Sequence, residues 1–115
     1  MKNQFLLLLV IALAGCGDVD SVRAVRVSLV NSETYQYPTL VGDEEGAAVA
    51  TQAKHYRISE VRRDSTTNWD AVYFYQPAAG FVGSDIAAIR VYRGSDGASP
   101  NTDIQEVRFY FSVGN

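Results

Sequence analysis

The feature that most constrains the fold is a two-residue hydrophobic period that recurs through the chain after residue 20. In QEVRFYFSV, Gln105 to Val113, the residues Val107, Phe109, Phe111 and Val113 alternate with Arg108, Tyr110 and Ser112. Successive side chains of a strand point to opposite faces, so this spacing belongs to a strand with one face in a core and one in solvent. The same reading holds for SVRAVRVSLVN, Ser21 to Asn31, with Val25, Val27 and Leu29 opposite Arg26 and Ser28. In IAAIRVYR, Ile86 to Arg93, the residues Ala87, Ile89 and Val91 oppose Ala88, Arg90 and Tyr92. In AKHYRISEV, Ala53 to Val61, Tyr56 and Ile58 oppose His55, Arg57 and Ser59. NWDAVYFYQP, Asn68 to Pro77, is aromatic on both faces, with Trp69, Ala71, Tyr73 and Tyr75 in one row and Val72 and Phe74 in the other.

Turn-forming residues separate these runs: SETYQYP, RRDSTTN, AAGFVGSD and GSDGASPNTD. A further strand is expected around Tyr35 to Val41, where Pro38 suits an edge position, and another within Ala47 to Ala53. The best helical candidate, DEEGAAVATQAKH (Asp43 to His55), is weakened by Gly46 and Thr51. Short alternating strands divided by turns predict an all-β chain, an immunoglobulin-like antiparallel β-sandwich of about seven strands. The 115 residues suffice for one small domain, and a single cysteine excludes an intramolecular disulfide.

The first residues read differently. Lys2 precedes the apolar run FLLLLVIALA, Phe5 to Ala14, about half the roughly 20 residues needed to cross a bilayer as a helix. A positive start, a short apolar stretch and small residues before a break form a secretory signal. The break, LAGC at Leu13 to Cys16, resembles the lipobox of bacterial lipoproteins at every position. The resemblance implies cleavage between Gly15 and Cys16, then a covalent diacylglycerol and further acyl chains, such as palmitate, on Cys16. Residues 1–15 are then a cleaved signal helix, 16–20 a lipidated tether and 21–115 the sandwich domain. Gly17, where an Asp favours the inner membrane, implies an outer-membrane lipoprotein facing the periplasm; the inner membrane and the cell surface remain alternatives. A lone cysteine is otherwise most often a small buried hydrophobe.

The second half, YQPAAGFVGSDIAAIRVYRGSDG and VRFYFSV, resembles the bacterial immunoglobulin-like and cadherin-like repeats of surface proteins. Tyr75, Pro77, Gly80, Phe81, Gly83 and Asp85 fall in the register of that pattern. Asp96 and Gly97 occupy its loop, and Val107 to Val113 its last strand. Ala87 and Ile89 stand where the family has aromatic residues, and the family's tandem copies are here a single one. Read physically, Pro77 ends a strand, Gly80 and Gly83 supply backbone angles closed to other residues, and Phe81 caps the sandwich end. The Asp85 carboxylate accepts hydrogen bonds from backbone N–H groups of the turn. Cadherin-like repeats imply the alternative of a calcium ligand, which needs clustered oxygens; Asp18, Asp20, Asp96 and Asp103 would supply them only if the fold gathered them.

The net charge of −3, or −4 without residues 1–15, offers no basic field for nucleic acid. His55 is the only histidine and is expected to face solvent; no nucleophile elbow, zinc set or phosphate loop accompanies it. GDEEG, Gly42 to Gly46, reads as an acidic solvated turn and RRDS, Arg62 to Ser65, as a charged one. Two groups mark candidate binding surfaces. Arg90, Tyr92, Arg108 and Tyr110 should share the outer face of neighbouring strands, and both residue types are enriched at interaction hot spots. Trp69 or Tyr73, if exposed, would stack on a sugar or a peptide. The expected activity is therefore that of a membrane-anchored envelope lipoprotein serving as a non-enzymatic protein-binding or scaffold module. Glycan or peptidoglycan binding through exposed aromatics is the alternative. No metal or cofactor is expected beyond the lipid on Cys16.

Overall fold

The computed structural model describes residues 19–94 and 103–115. The signal, the cleavage site at Gly15 and Cys16, most of the tether, Asp18, Asp96 and Gly97 lie outside these residues. Seven strands run in chain order: β1 (Ser21–Val30), β2 (Tyr35–Pro38), β3 (Gly46–Thr51), β4 (Tyr56–Arg62), β5 (Val72–Pro77), β6 (Gly83–Arg93) and β7 (Asp103–Gly114). They form a four-stranded sheet of order β1-β7-β6-β3 and a three-stranded sheet of order β2-β5-β4. The division of the third, sixth and seventh strands from the second, fourth and fifth is the immunoglobulin arrangement. β1 joins the larger sheet beside β7 in parallel, with Ser21 opposite Gln105 and Val30 opposite Gly114, and so departs from the otherwise antiparallel pairing. The strands between them supply the crossover that a parallel pair requires. The segment Asp43 to His55, the best helical candidate, contains β3 instead.

The alternation read from the sequence sets the core. Ala87, Ile89 and Val91 of β6 and Val107, Phe109, Phe111 and Val113 of β7 are buried, with Leu29 of β1 beside them. From the other sheet come Tyr73 and Tyr75, both fully buried. Their rings stack across the sandwich, Tyr73 on Phe109 at 4.9 Å and Tyr75 on Phe111 at 3.8 Å between centroids. Tyr37 meets Phe109 edge-on, and Tyr35 meets both phenylalanines in the same way. Each such pair adds about 0.5–1.5 kcal/mol beyond its buried area, which matters in a domain without a disulfide. The second row of β5 faces outward, where the Arg62 guanidinium lies 4.3 Å from the centre of the Phe74 ring.

Two expectations about phase are corrected. Ser59 does not share a solvent face with His55 and Arg57. A bulge between Tyr56 and Ile58 shifts the register of β4 on β5, so Ser59 turns inward, is buried, and meets the Tyr73 hydroxyl at 2.6 Å. A bulge inserts one unpaired residue and exchanges the faces of the residues beyond it. Trp69 does not begin the β5 row either. Asp64 caps a short 3-10 turn at Ser65–Thr67, its carboxylate accepting from Thr66 N, and Thr67 Oγ1 accepts from Asp64 N. Asn68 and Trp69 come next with φ of 55° and 62°, so the chain reverses before β5 starts at Val72.

The strand pairings define two ends. At one, β1 and β7 begin, and Asp20 N donates to Ile104 O while Asp20 Oδ2 accepts from Ile104 N. β2 and β4 finish at this same end, because Arg93 donates to Thr39 O and Arg63 to the carbonyls of Glu45 and Gly42. The other end carries the β1–β2, β3–β4 and β5–β6 connections and Asp85.

Candidate functional site

The outer face of the four-stranded sheet carries all four Arg and Tyr candidates in successive cross-strand rows. Glu106 of β7 stands opposite Arg90 of β6 and Val22 of β1. In the next row Arg108 lies between Ala24 and Ala88, then Tyr110 between Arg26 and Ile86, then Ser112 between Ser28 and Ser84. Tyr92 lies on the same face farther along β6, opposite Ile104 and Gly46, and is half-buried. Glu106 gathers the two arginines, with Arg108 Nε at 2.6 Å and Arg90 Nε at 3.6 Å. The hydrogen bond and charge of Glu106 raise the Arg108 pKa. Arg90 and Arg108 are thus held by a neighbour on their own sheet, whereas the Arg26 guanidinium rests 5.4 Å from the centre of the Tyr110 ring.

Two grooves flank Ile86, which is 50% exposed at an outward position of β6. β3 ends at Thr51 opposite Ala88, so no strand covers Ile86 on that side. A groove of about 420 Å3 runs on the β7 side between Arg26, Ser28, Ser84, Tyr110 and Ser112. A second, of about 340 Å3, lies on the other side between Thr51, Gln52, Lys54 and His55. An apolar ridge is thereby flanked by hydroxyls, an aromatic ring and cationic side chains. Such a surface can bury an apolar side chain and donate hydrogen bonds to the carbonyls or carboxylates around it. Arg26, the three serines, Ile86 and Lys54 were absent from the sequence-derived candidates. The signal available was Ile86 itself, a large apolar residue at an outward position of an alternating strand.

Beneath Ile86 the Asp85 side chain is 4% exposed and holds the end of the sandwich together. Oδ1 accepts from Lys54 N at 2.9 Å and Ile86 N at 3.0 Å, and Oδ2 from His55 N and the Tyr75 hydroxyl, each at 2.9 Å. The donors come mainly from the β3–β4 connection and from β5 rather than from the turn that precedes Asp85. Burial alone would push this carboxyl up, but the four donors outweigh it and hold its pKa below the ordinary aspartate value. They also occupy the acceptor positions of the carboxylate, so a cation at Asp85 would have to displace backbone N–H groups. Asp20 is likewise engaged, by Ile104 N. Among the described residues no three His, Cys, Asp or Glu side chains group as metal ligands.

Comparison of the chain with family models, curated proteins and solved structures yields no match. His55, Ser84 and Asp85 all line the smaller groove, yet they do not form a nucleophile–base–acid relay. Asp85 receives the backbone N–H of His55, and the imidazole stacks on Phe81 at 4.3 Å with the planes 6° apart. A general base must reach the proton it removes, and among the described residues the imidazole has no hydrogen bond to Ser84 or Asp85. Of the two aromatic candidates, Tyr73 lies in the core and is withdrawn as a binding residue; its phenol pKa is pushed up to about 12 by burial. Trp69 is 62% exposed and lies at the end where β1 begins, remote from the groove residues.

Proposed function

We propose that the chain is a lipid-anchored protein of the bacterial envelope that acts without catalysis, binding a protein partner on the outer face of its four-stranded sheet. The observation that carries this reading is the half-exposed Ile86 ridge between two grooves, with Arg26 over Tyr110 on one side and Lys54 on the other. Tyr and Arg around an apolar centre are the composition of interaction hot spots. The open edge of β1 borders the larger groove and offers outward backbone groups before Val30, whose N–H and carbonyl are taken by Glu33, a route for an extended partner segment. The LAGC segment supports the anchor, with Cys16 as the attachment point, and Gly17 supports the outer membrane as its location.

A glycan-binding reading would now rest on Trp69 alone among the two aromatic candidates, away from the grooves. Two experiments test the main reading. A photo-crosslinker at position 110 in intact cells should trap one envelope protein, and Ile86→Glu should abolish the adduct; equal labelling from Val82, at the β5–β6 connection, would sink it. Cys16→Ala should release the protein from membranes, and continued membrane attachment would refute the anchor.

A further inference from the structure

The two most exposed large apolar side chains of the described residues are Leu40, at 79%, and Trp69, at 62%. They occupy adjacent connections, β2–β3 and β4–β5, joined by Thr39 N to Ala71 O at 3.1 Å and Leu40 N to Asp70 Oδ2 at 3.4 Å. Both residues also have left-handed backbone, with φ of 58° and 62°, a conformation that is an outlier for a bulky side chain. The fold thus holds a leucine and a tryptophan outward where ordinary turn chemistry would place glycine or asparagine.

Their position gives them a partner. Both lie at the end of the sandwich where β1 starts. There Asp20 is clamped to Ile104 by two hydrogen bonds, Asp20 N to Ile104 O at 2.7 Å and Ile104 N to Asp20 Oδ2 at 2.8 Å. From Cys16 to Asp20 the chain spans at most about 14 Å when fully extended. A diacylglycerol on Cys16 therefore holds this end of the domain against the headgroup layer. We infer that Leu40 and Trp69 are a second, non-covalent contact with the bilayer, seated in the headgroup region and fixing the domain upright on its tether. This rests on the anchor proposed above. Tryptophan favours that layer, where its ring is half in hydrocarbon and its N–H stays wet. The exposed acids Asp43 and Glu44 in the β2–β3 connection select zwitterionic over anionic headgroups. With the tether end on the membrane, the Ile86 grooves, toward the opposite end, stay clear for a partner.

Trp69 is the only tryptophan, so its emission reports this contact directly. The lipidated chain, purified from membranes and reconstituted in phosphatidylethanolamine–phosphatidylcholine vesicles, should emit at shorter wavelength than in water. It should be quenched by lipids brominated high on the acyl chain and shielded from iodide. Leu40→Gly suits the φ of 58°, keeps the fold and should shift the emission back toward the aqueous value. Water-like, iodide-quenched emission from protein that floats with the vesicles overturns this inference and leaves the anchor standing. Water-like emission that moves only when soluble peptidoglycan fragments are added overturns it too and gives Trp69 to a glycan. Protein that neither floats nor carries the diacylglycerol mass overturns both the inference and the anchor.

Discussion

Replacing Asp85 by Asn tests whether one buried carboxylate ties the β3–β4 connection to both sheets. An amide of the same shape has one acceptor oxygen. It can retain the N–H groups of Lys54 and Ile86, but its nitrogen then faces the His55 N–H, donor against donor, and the Tyr75 hydroxyl must turn to accept. One orphaned buried N–H costs about 1–3 kcal/mol, and the surviving bonds lose the strengthening given by the charge, about another 1–2 kcal/mol. A loss of about 3 kcal/mol is expected, which for a domain of this size lowers Tm by roughly 10–20 °C. Urea unfolding of residues 19–115 as a function of pH is the assay. Because the folded pKa lies below the unfolded value of about 3.9, the stabilisation is complete above about pH 4 and disappears as the pH falls through the folded pKa. The gap between the native protein and Asp85→Asn should therefore be constant near neutrality and narrow below about pH 4. A cost under about 1 kcal/mol, or a gap that does not narrow in acid, would refute the reasoning.

Leu40→Gly should leave thermal stability unchanged or raise it by up to about 1 kcal/mol, because relief of the left-handed backbone, about 1–2 kcal/mol, offsets the entropy cost of glycine; a calorimetric loss of Tm would contradict this. Gly83 and Gly46 should respond oppositely to alanine. At Gly83, with φ of 144° and the Phe81 ring 3.3 Å from the new Cβ, a clear loss of Tm is expected. At Gly46 nothing lies within 4 Å, and a gain of about 0.4–1 kcal/mol is expected. In alkali, the phenol of Tyr73 is raised to about 12 by burial, and that of Tyr75 is raised by burial and by the neighbouring Asp85. Their stabilisation is full below the unfolded value of about 10 and is lost as the pH rises through the folded values. Ultraviolet titration should thus show two tyrosines ionising only with unfolding, and Tyr73→Phe should remove one of them.

Much of the fold is legible in the sequence because strands with one buried face write their orientation into alternate residues. Val25, Val27 and Leu29, Ala87, Ile89 and Val91, and Val107 to Val113 all point as their period predicts. The same logic placed Arg90, Tyr92, Arg108 and Tyr110 outward on neighbouring strands. The β4 phase was not legible, since a bulge leaves no mark in residue type and reverses the faces after it. Nor was the departure of Trp69 from β5, since two consecutive left-handed residues, one of them a tryptophan, run against turn preferences.

The sequence by itself determined a chain of β-strands after residue 20 and the buried faces of β1, β6 and β7, because periodicity is local. Only the tertiary structure decided what distant residues share. It paired β1 with β7, which are separated by most of the chain, and aligned Ser28, Ser112 and Ser84 in one row. It spent Asp85 on donors about 30 residues away in the chain and left Ile86 uncovered where β3 stops. It also joined the connections that carry Leu40 and Trp69 at the end where the chain enters the domain. Such contacts depend on which strands become neighbours and in which register. That is settled by packing two faces into one core rather than by the preferences of any single segment.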